Sequence, residues 1–177
     1  MKNNMRQKSF VLIGYMMFFL LTNSYGQNNI VSNDTTVTNE FLQASIKFLD
    51  GDFKECIPHY VNVLKKDTLL TKEYWYVLID NLGMAYGITG NLKSAELTFK
   101  YGLSKDQTYP LFYYNLACVY AEKNDMNICI DYLISAFRYR ENMRGGEVFP
   151  DPLTDDSFQK FMKNNKFTST IEKLKRQ

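Results

Sequence analysis

From Phe41 to Phe137 apolar residues recur three and four apart, and Gly or Asn punctuates them at intervals. That pattern predicts short amphipathic helices joined by tight turns. The clearest stretch runs from Ile79 to Phe99 (IDNLGMAYGITGNLKSAELTF) and reads as two helices around one turn. Much of it returns 34 residues later, where Asn81-Leu82-Gly83-x-x-Tyr86 becomes Asn115-Leu116-Ala117-x-x-Tyr120. With units opening at Tyr76 and Pro110, Ala95 matches Cys129, Phe99 matches Leu133 and Gly102 matches Ala136. A less regular unit from Val37 puts Ala44, Gly51, Cys56, Tyr60 and Val63 in register with Gly83, Gly90, Ala95, Phe99 and Gly102. Small residues at three of these places let helices approach closely, and the bulky ones beside them fill the remaining space.

The turn inside each unit is the most regular feature. Gly51, Gly90 and Asn124 are residue types that accept the left-handed conformation ending a helix. Asp52, Asn91 and Asp125 follow as candidate N-caps, and Phe53, Leu92 and Met126 restart the apolar pattern. Stop, cap and restart therefore occur three times in one frame. The first unit departs most: Pro58 sits early in its second helix, and Cys56 to Ala95 spans 39 residues, five more than the repeat, around Asp67–Lys72.

After Arg140 the pattern breaks. Gly145, Gly146, Pro150 and Pro152 mark a loop over 142–156. Two short amphipathic stretches follow, Asp156–Asn164 and Thr168–Arg176, suited to covering the last apolar face of an array. The carboxylates of Asp151, Asp155 and Asp156 read as turn and cap residues rather than a metal site, since no His accompanies them.

The repeat resembles the tetratricopeptide repeat, whose period is 34 and whose pattern runs W-x-x-L-G-x-x-Y…A-x-x-x-F…P. Leu82, Gly83, Tyr86, Ala95 and Phe99 match it in one unit; Leu116, Ala117 and Tyr120 match it in the next, with Cys129 as the small residue. Ile79 and Tyr113 stand where the pattern has Trp, Gln107 where it closes with Pro, and Lys47 where unit one should carry Tyr. The resemblance implies an all-α fold: a superhelical solenoid of about three helix pairs over 37–142 (37–70, 76–109 and 110–142), then a loop and capping helices over 143–177.

It also implies where a partner would bind. In this family the first helices of successive units line a concave groove. Carried over, that surface takes Phe41, Ser45 and Phe48 from unit one, and Val77, Asp80, Asn81, Met84 and Ile88 from unit two. Unit three contributes Leu111, Tyr114, Asn115, Cys118 and Glu122. Asn81 and Asn115 either hold a peptide backbone, as an amide with both donor and acceptor can, or bond neighbouring helices. Asp80 and Tyr114 occupy the place where relatives that clamp a C-terminal carboxylate carry Lys or Arg, which disfavours that mode. The expected ligand is an extended or helical peptide with apolar anchors and a basic residue.

Composition and the leader narrow the setting. Met1–Lys8 is polar and positive, Phe10–Leu21 carries no charge, and Ser24-Tyr25-Gly26 offers small residues before a cut ahead of Gln27. As a helix the apolar run reaches about 18 Å against ~30 Å of hydrocarbon, which favours a cleaved signal peptide (1–26) over an anchor. An uncleaved leader tethering the domain to a membrane is the alternative. Residues 27–38 read as a flexible polar linker. The Lys/Arg- and Phe-containing leader points to a bacterial envelope, with the protein periplasmic or secreted.

The formal net charge is +2, from 21 basic and 19 acidic residues. Without Lys2, Arg6 and Lys8 the balance is 18 to 19, which gives no concentrated basic surface for nucleic acid. Residues 157–177 are locally basic and read as a solvated lysine face. His59 is the single histidine, and no phosphate-cradling Gly loop or CxxC spacing occurs, so neither a catalytic constellation nor a cofactor or metal is expected. Cys56 and Cys129 occupy small-residue places and read as buried packing; Cys118 with Cys129 leaves a disulfide open. The expected function is a non-catalytic protein-interaction scaffold, with a self-associating envelope protein as the alternative.

Overall fold

The computed structural model describes residues 31–177. The signal-peptide reading and the first residues of the linker lie outside that range. The described chain is all-helical, with α1 (Thr35–Leu49), α2 (Phe53–Leu64), α3 (Lys72–Ile88), α4 (Leu92–Lys105), α5 (Pro110–Glu122), α6 (Met126–Arg138) and α7 (Asn165–Lys175). Short 3-10 turns at Asp67–Leu69, Arg140–Asn142 and Asp156–Phe161 join them. Two compact units divide inside α4, at residues 31–98 and 99–177. No helix among the described residues is long and apolar enough to cross a membrane.

The three expected turns share one geometry. Gly51, Gly90 and Asn124 have φ of 82°, 86° and 62°, the left-handed conformation that costs Gly nothing and Asn little. In each, the next N–H reaches back five residues: Asp52 N to Lys47 O at 2.8 Å, Asn91 N to Tyr86 O at 2.8 Å, Asp125 N to Tyr120 O at 2.9 Å. These bonds satisfy carbonyls that the helix end would otherwise leave bare. Asn91 and Asp125 then cap the following helix through Ser94 N and Ile128 N, both at 3.1 Å. Asp52 makes no such side-chain bond; the Glu55 N–H goes to its backbone carbonyl at 2.9 Å instead.

In the unit of residues 31–98, α1 packs on α2 and both touch α3. The first helix begins at Thr35, inside the stretch read as linker. The Asp34 carboxylate accepts from Thr36 N (2.8 Å) and Val37 N (3.1 Å), and that cap starts the helix early. Val31 is buried ahead of it, its carbonyl taking the Thr71 N–H at 3.1 Å. The Phe41 ring stands edge-on to Tyr60 and Tyr74, and the Phe48 ring edge-on to Phe53 and Tyr60. Pro58 lies inside α2, which continues to Leu64 with one i→i−4 hydrogen bond fewer. The extra residues before α3 form the Asp67–Leu69 turn, held by Trp75 Nε1 donating to Asp67 Oδ2 at 3.1 Å.

In the unit of residues 99–177, α5 packs along α6, α6 meets α7, and the Asp156–Phe161 turn lies on α5. The two C-terminal stretches have other limits than the apolar pattern gives them. The first is a 3-10 turn, and α7 starts at Asn165 rather than Thr168, because the Asn164 side chain accepts from Lys166 N and Phe167 N. Phe112, Phe158, Phe167 and Ile171 are fully buried, each stabilising by about 1.5–3 kcal/mol over an exposed position.

Gly102 is a packing glycine. A Cβ there would meet Phe112 ring atoms at 2.7, 2.8 and 2.9 Å, and that ring is fully buried. Gly102→Ala should therefore lower unfolding stability by roughly 1–3 kcal/mol of overpacking, partly offset by ~1 kcal/mol of better helix propensity. Gly145→Ala, where nothing lies within 4 Å, serves as the control in urea melts. A Gly102→Ala protein as stable as the parent would show that the Phe112 ring can swing aside.

Candidate functional site

The groove assignment requires side chains on α1, α3 and α5 that a partner can reach. Within residues 31–98 those side chains are interior, except Ile88, which is half-exposed. Phe41, Asp80 and Met84 are fully buried, Ser45 is 4 % and Asn81 5 % exposed, and Val77 and Phe48 are also buried. A polar chain runs through them. Asn81 Nδ2 donates to Tyr60 OH at 2.8 Å, Tyr60 OH donates to Ser45 Oγ at 3.2 Å, and Ser45 Oγ donates to Phe41 O at 2.9 Å. Thus α3, α2 and α1 are tied by one relay, and Asn81 bonds a neighbouring helix. Its Oδ1 has no hydrogen-bond partner among the described residues. A buried acceptor in that state costs about 1–3 kcal/mol, so the relay carries a penalty at one end. Burial raises the Tyr60 hydroxyl pKa above its ordinary value, with the Ser45 and Asn81 bonds opposing the shift.

Within residues 99–177 the chain covers its own candidate face. Leu111, Tyr114, Asn115 and Cys118 are buried, and only Glu122 stays half-exposed. Tyr114 OH donates to Asp155 Oδ2 at 2.8 Å, while its ring stands edge-on to Phe149 and Phe158. Lys160 Nζ donates to Ala121 O at 2.8 Å, one turn along α5 from Cys118. Residues 149–160 therefore cover the face of α5 that the sequence pattern assigns to the groove. Burial pushes the Tyr114 hydroxyl well above its usual pKa, and the Asp155 charge adds to it. Burial likewise raises the Cys118 thiol well above its usual value, with Asp155 adding and the Ser157 side chain opposing.

The acidic run acts locally. Asp155 accepts from Ser157 N at 2.8 Å, and Asp151 accepts from Leu153 N at 3.0 Å and from Lys175 Nζ at 2.5 Å. No group of three or more His, Cys, Asp or Glu side chains among the described residues could hold a metal ion. Cys56, Cys118 and Cys129 are free and buried, and burial raises the thiols of Cys56 and Cys129 to about 12. His59 Nδ1 contacts Glu40 Oε2 at 2.7 Å between α2 and α1, both side chains about one-third exposed.

Sequence reading missed Tyr60 and Asp155 as the partners of Asn81 and Tyr114. For Tyr60 a signal existed: it stands where the repeat has Phe99 or Leu133, and a hydroxyl at a buried place needs hydrogen-bonding company. Asp155 offered none, because it lies 41 residues from Tyr114 in the chain.

Both tyrosines give an alkaline prediction. Each hydroxyl is neutral in the fold, with a pKa raised from 10.0, so its contribution is complete below pH 10 and declines as pH rises above it. Tyrosinate absorbance from Tyr60 and Tyr114 should therefore appear together with loss of helix by circular dichroism. Ionisation of every tyrosine at the ordinary pH, with helicity intact, would contradict their burial.

Compared with known proteins, the chain matches no family model, no curated protein and no solved structure.

Proposed function

We propose that this chain is a non-catalytic protein-interaction scaffold of the tetratricopeptide kind, exported to a bacterial envelope behind a cleaved leader. In this reading successive helix pairs stack as a superhelix and present their first helices to a peptide or protein partner. The observation that carries it is the turn: the same left-handed stop, backward hydrogen bond and restart at Gly51, Gly90 and Asn124. Repeated helix pairs bury one face against neighbours and leave an extended surface for partners, which is why such arrays serve recognition.

Two further observations support a binding rather than a catalytic role. A cysteine nucleophile needs a lowered pKa, and here burial raises all three thiols. The single histidine is engaged with Glu40 across α2 and α1, with no second histidine in the sequence to complete a catalytic or metal constellation.

The buried state of Tyr114 and Cys118 gives the proposal a specific form. A partner that reaches them displaces residues 149–158, replacing the Phe149 and Phe158 rings with its own apolar anchors and Asp155 with an acceptor for Tyr114 OH. Glu122, half-exposed at the end of α5, would meet a basic residue of the ligand.

The test is a photo-crosslinkable residue at position 122 in the native host, with the same residue at exposed Lys93 as reference. A discrete protein adduct from 122 that is absent from 93 is the expected result. No adduct from 122, or an equal set from both, would contradict the groove assignment.

A further inference from the structure

Positive charge is concentrated on α7 and the turn before it. Residues 157–177 carry six basic side chains against one acid, Glu172, whereas residues 99–156 of the same unit carry six against nine acids. Phe167, Ile171 and Leu174 bury one side of α7. At ~100° per residue, Lys166, Ser169, Lys173 and Arg176 fall within an arc of roughly 80° on the other side, and all four are exposed. Glu172 lies outside that arc, roughly 40° beyond Arg176. Lys163 is exposed just ahead of the helix.

These cations are little used inside the fold. Among the described residues the side chains of Lys163, Lys173 and Arg176 make no hydrogen bond or ion pair, and Lys166 donates to a neutral amide, Asn127 Oδ1, at 2.8 Å. Lys175, outside the arc, pairs with Asp151 instead. The α7 dipole favours Lys173 and Arg176 near its C-terminal end but disfavours Lys163 and Lys166 at its N-terminal end. Helix stability therefore does not account for the face as a whole.

We infer that this face docks on an anionic lipid surface, with Lys163, Lys166, Lys173 and Arg176 against the headgroups and α7 not inserted. An inserted helix needs its apolar side free, and here Phe167, Ile171 and Leu174 are held in the fold. A planar surface fits better than a nucleic acid. The arc carries no aromatic side chain on which a base could stack. A long polyanion running past α7 would also meet the acidic remainder of the unit. A layer of headgroups touches the face alone, and charges more than ~8 Å away are screened at physiological salt. The inference is independent of the groove reading, because none of these side chains lies on α5.

Each basic side chain close to an anionic surface strengthens binding about fivefold. The test is co-sedimentation of the full chain with vesicles of phosphatidylglycerol and phosphatidylcholine in equal parts, and with phosphatidylcholine alone. The neutral vesicles measure what the apolar leader contributes, so the readout is the ratio of the two partition coefficients. That ratio should be large at about 20 mM salt and fall towards one at about 500 mM. Replacing three cations together (Lys163→Gln, Lys173→Gln and Arg176→Gln) should lower it about a hundredfold with unchanged far-ultraviolet circular dichroism, since the side chains are exposed. The same charge change in the other unit (Lys54→Gln, Lys65→Gln and Lys93→Gln) should leave it unchanged. A ratio near one at low salt would overturn the inference, as would an equal loss in both triple variants. Association of the chain without vesicles that the first variant abolishes would assign the face to a second copy and overturn it. Binding of duplex DNA that outlasts vesicle binding as salt rises would assign it to nucleic acid, with the same consequence.

Discussion

A tyrosine hydroxyl taken out of water must find partners, and each compact unit of this chain is built around one. In residues 31–98 the Tyr60 hydroxyl joins three helices through Asn81 and Ser45. In residues 99–177 the Tyr114 hydroxyl joins α5 to the C-terminal segment through Asp155. The rings do the apolar part of the same task, standing edge-on to Phe41 and Phe48 in one unit and to Phe149 and Phe158 in the other. Area burial supplies most of the energy, but it is non-directional. The hydroxyl bonds add direction: they fix which helix lies against which, since a slipped arrangement would leave them unmade.

This constraint changes what the helix faces mean. Ser45 and Asn81 in one unit, and Tyr114 and Cys118 in the other, combine donors with apolar surface. In the fold those groups already have uses, and the C-terminal segment acts on α5 much as a ligand would. Binding and stability, on the proposed function, draw on the same side chains. On the proposed function, engagement at α5 is an exchange of an internal contact for an external one, and its net affinity is the difference between the two.

The turns were legible in the sequence because they depend on single residues: Gly51, Gly90 and Asn124 must adopt positive φ, and few residue types do so at low cost. Helix starts set by one side chain were less legible. Asp34 begins α1 and Asn164 begins α7 ahead of where the apolar pattern alone places them. Burial of the candidate site was not legible from spacing. A position on the inner side of a first helix is the same in sequence whether solvent or residues 149–160 cover it, and contacts such as Tyr114–Asp155 span too much chain for any local pattern to mark. The all-helical character could be read from periodicity; the closing of one face by the chain's own tail could not.

The central claim is that these inner faces are structural before they are functional. It is tested most directly by measuring unfolding free energies for Tyr60→Phe and Tyr114→Phe, each of which keeps the ring and removes only the hydroxyl. The account predicts a loss of about 1–3 kcal/mol for each, since Asn81 Nδ2 or the Asp155 carboxylate is left without its bond. Losses below about 0.5 kcal/mol for both, the level of an ordinary surface substitution, would contradict it.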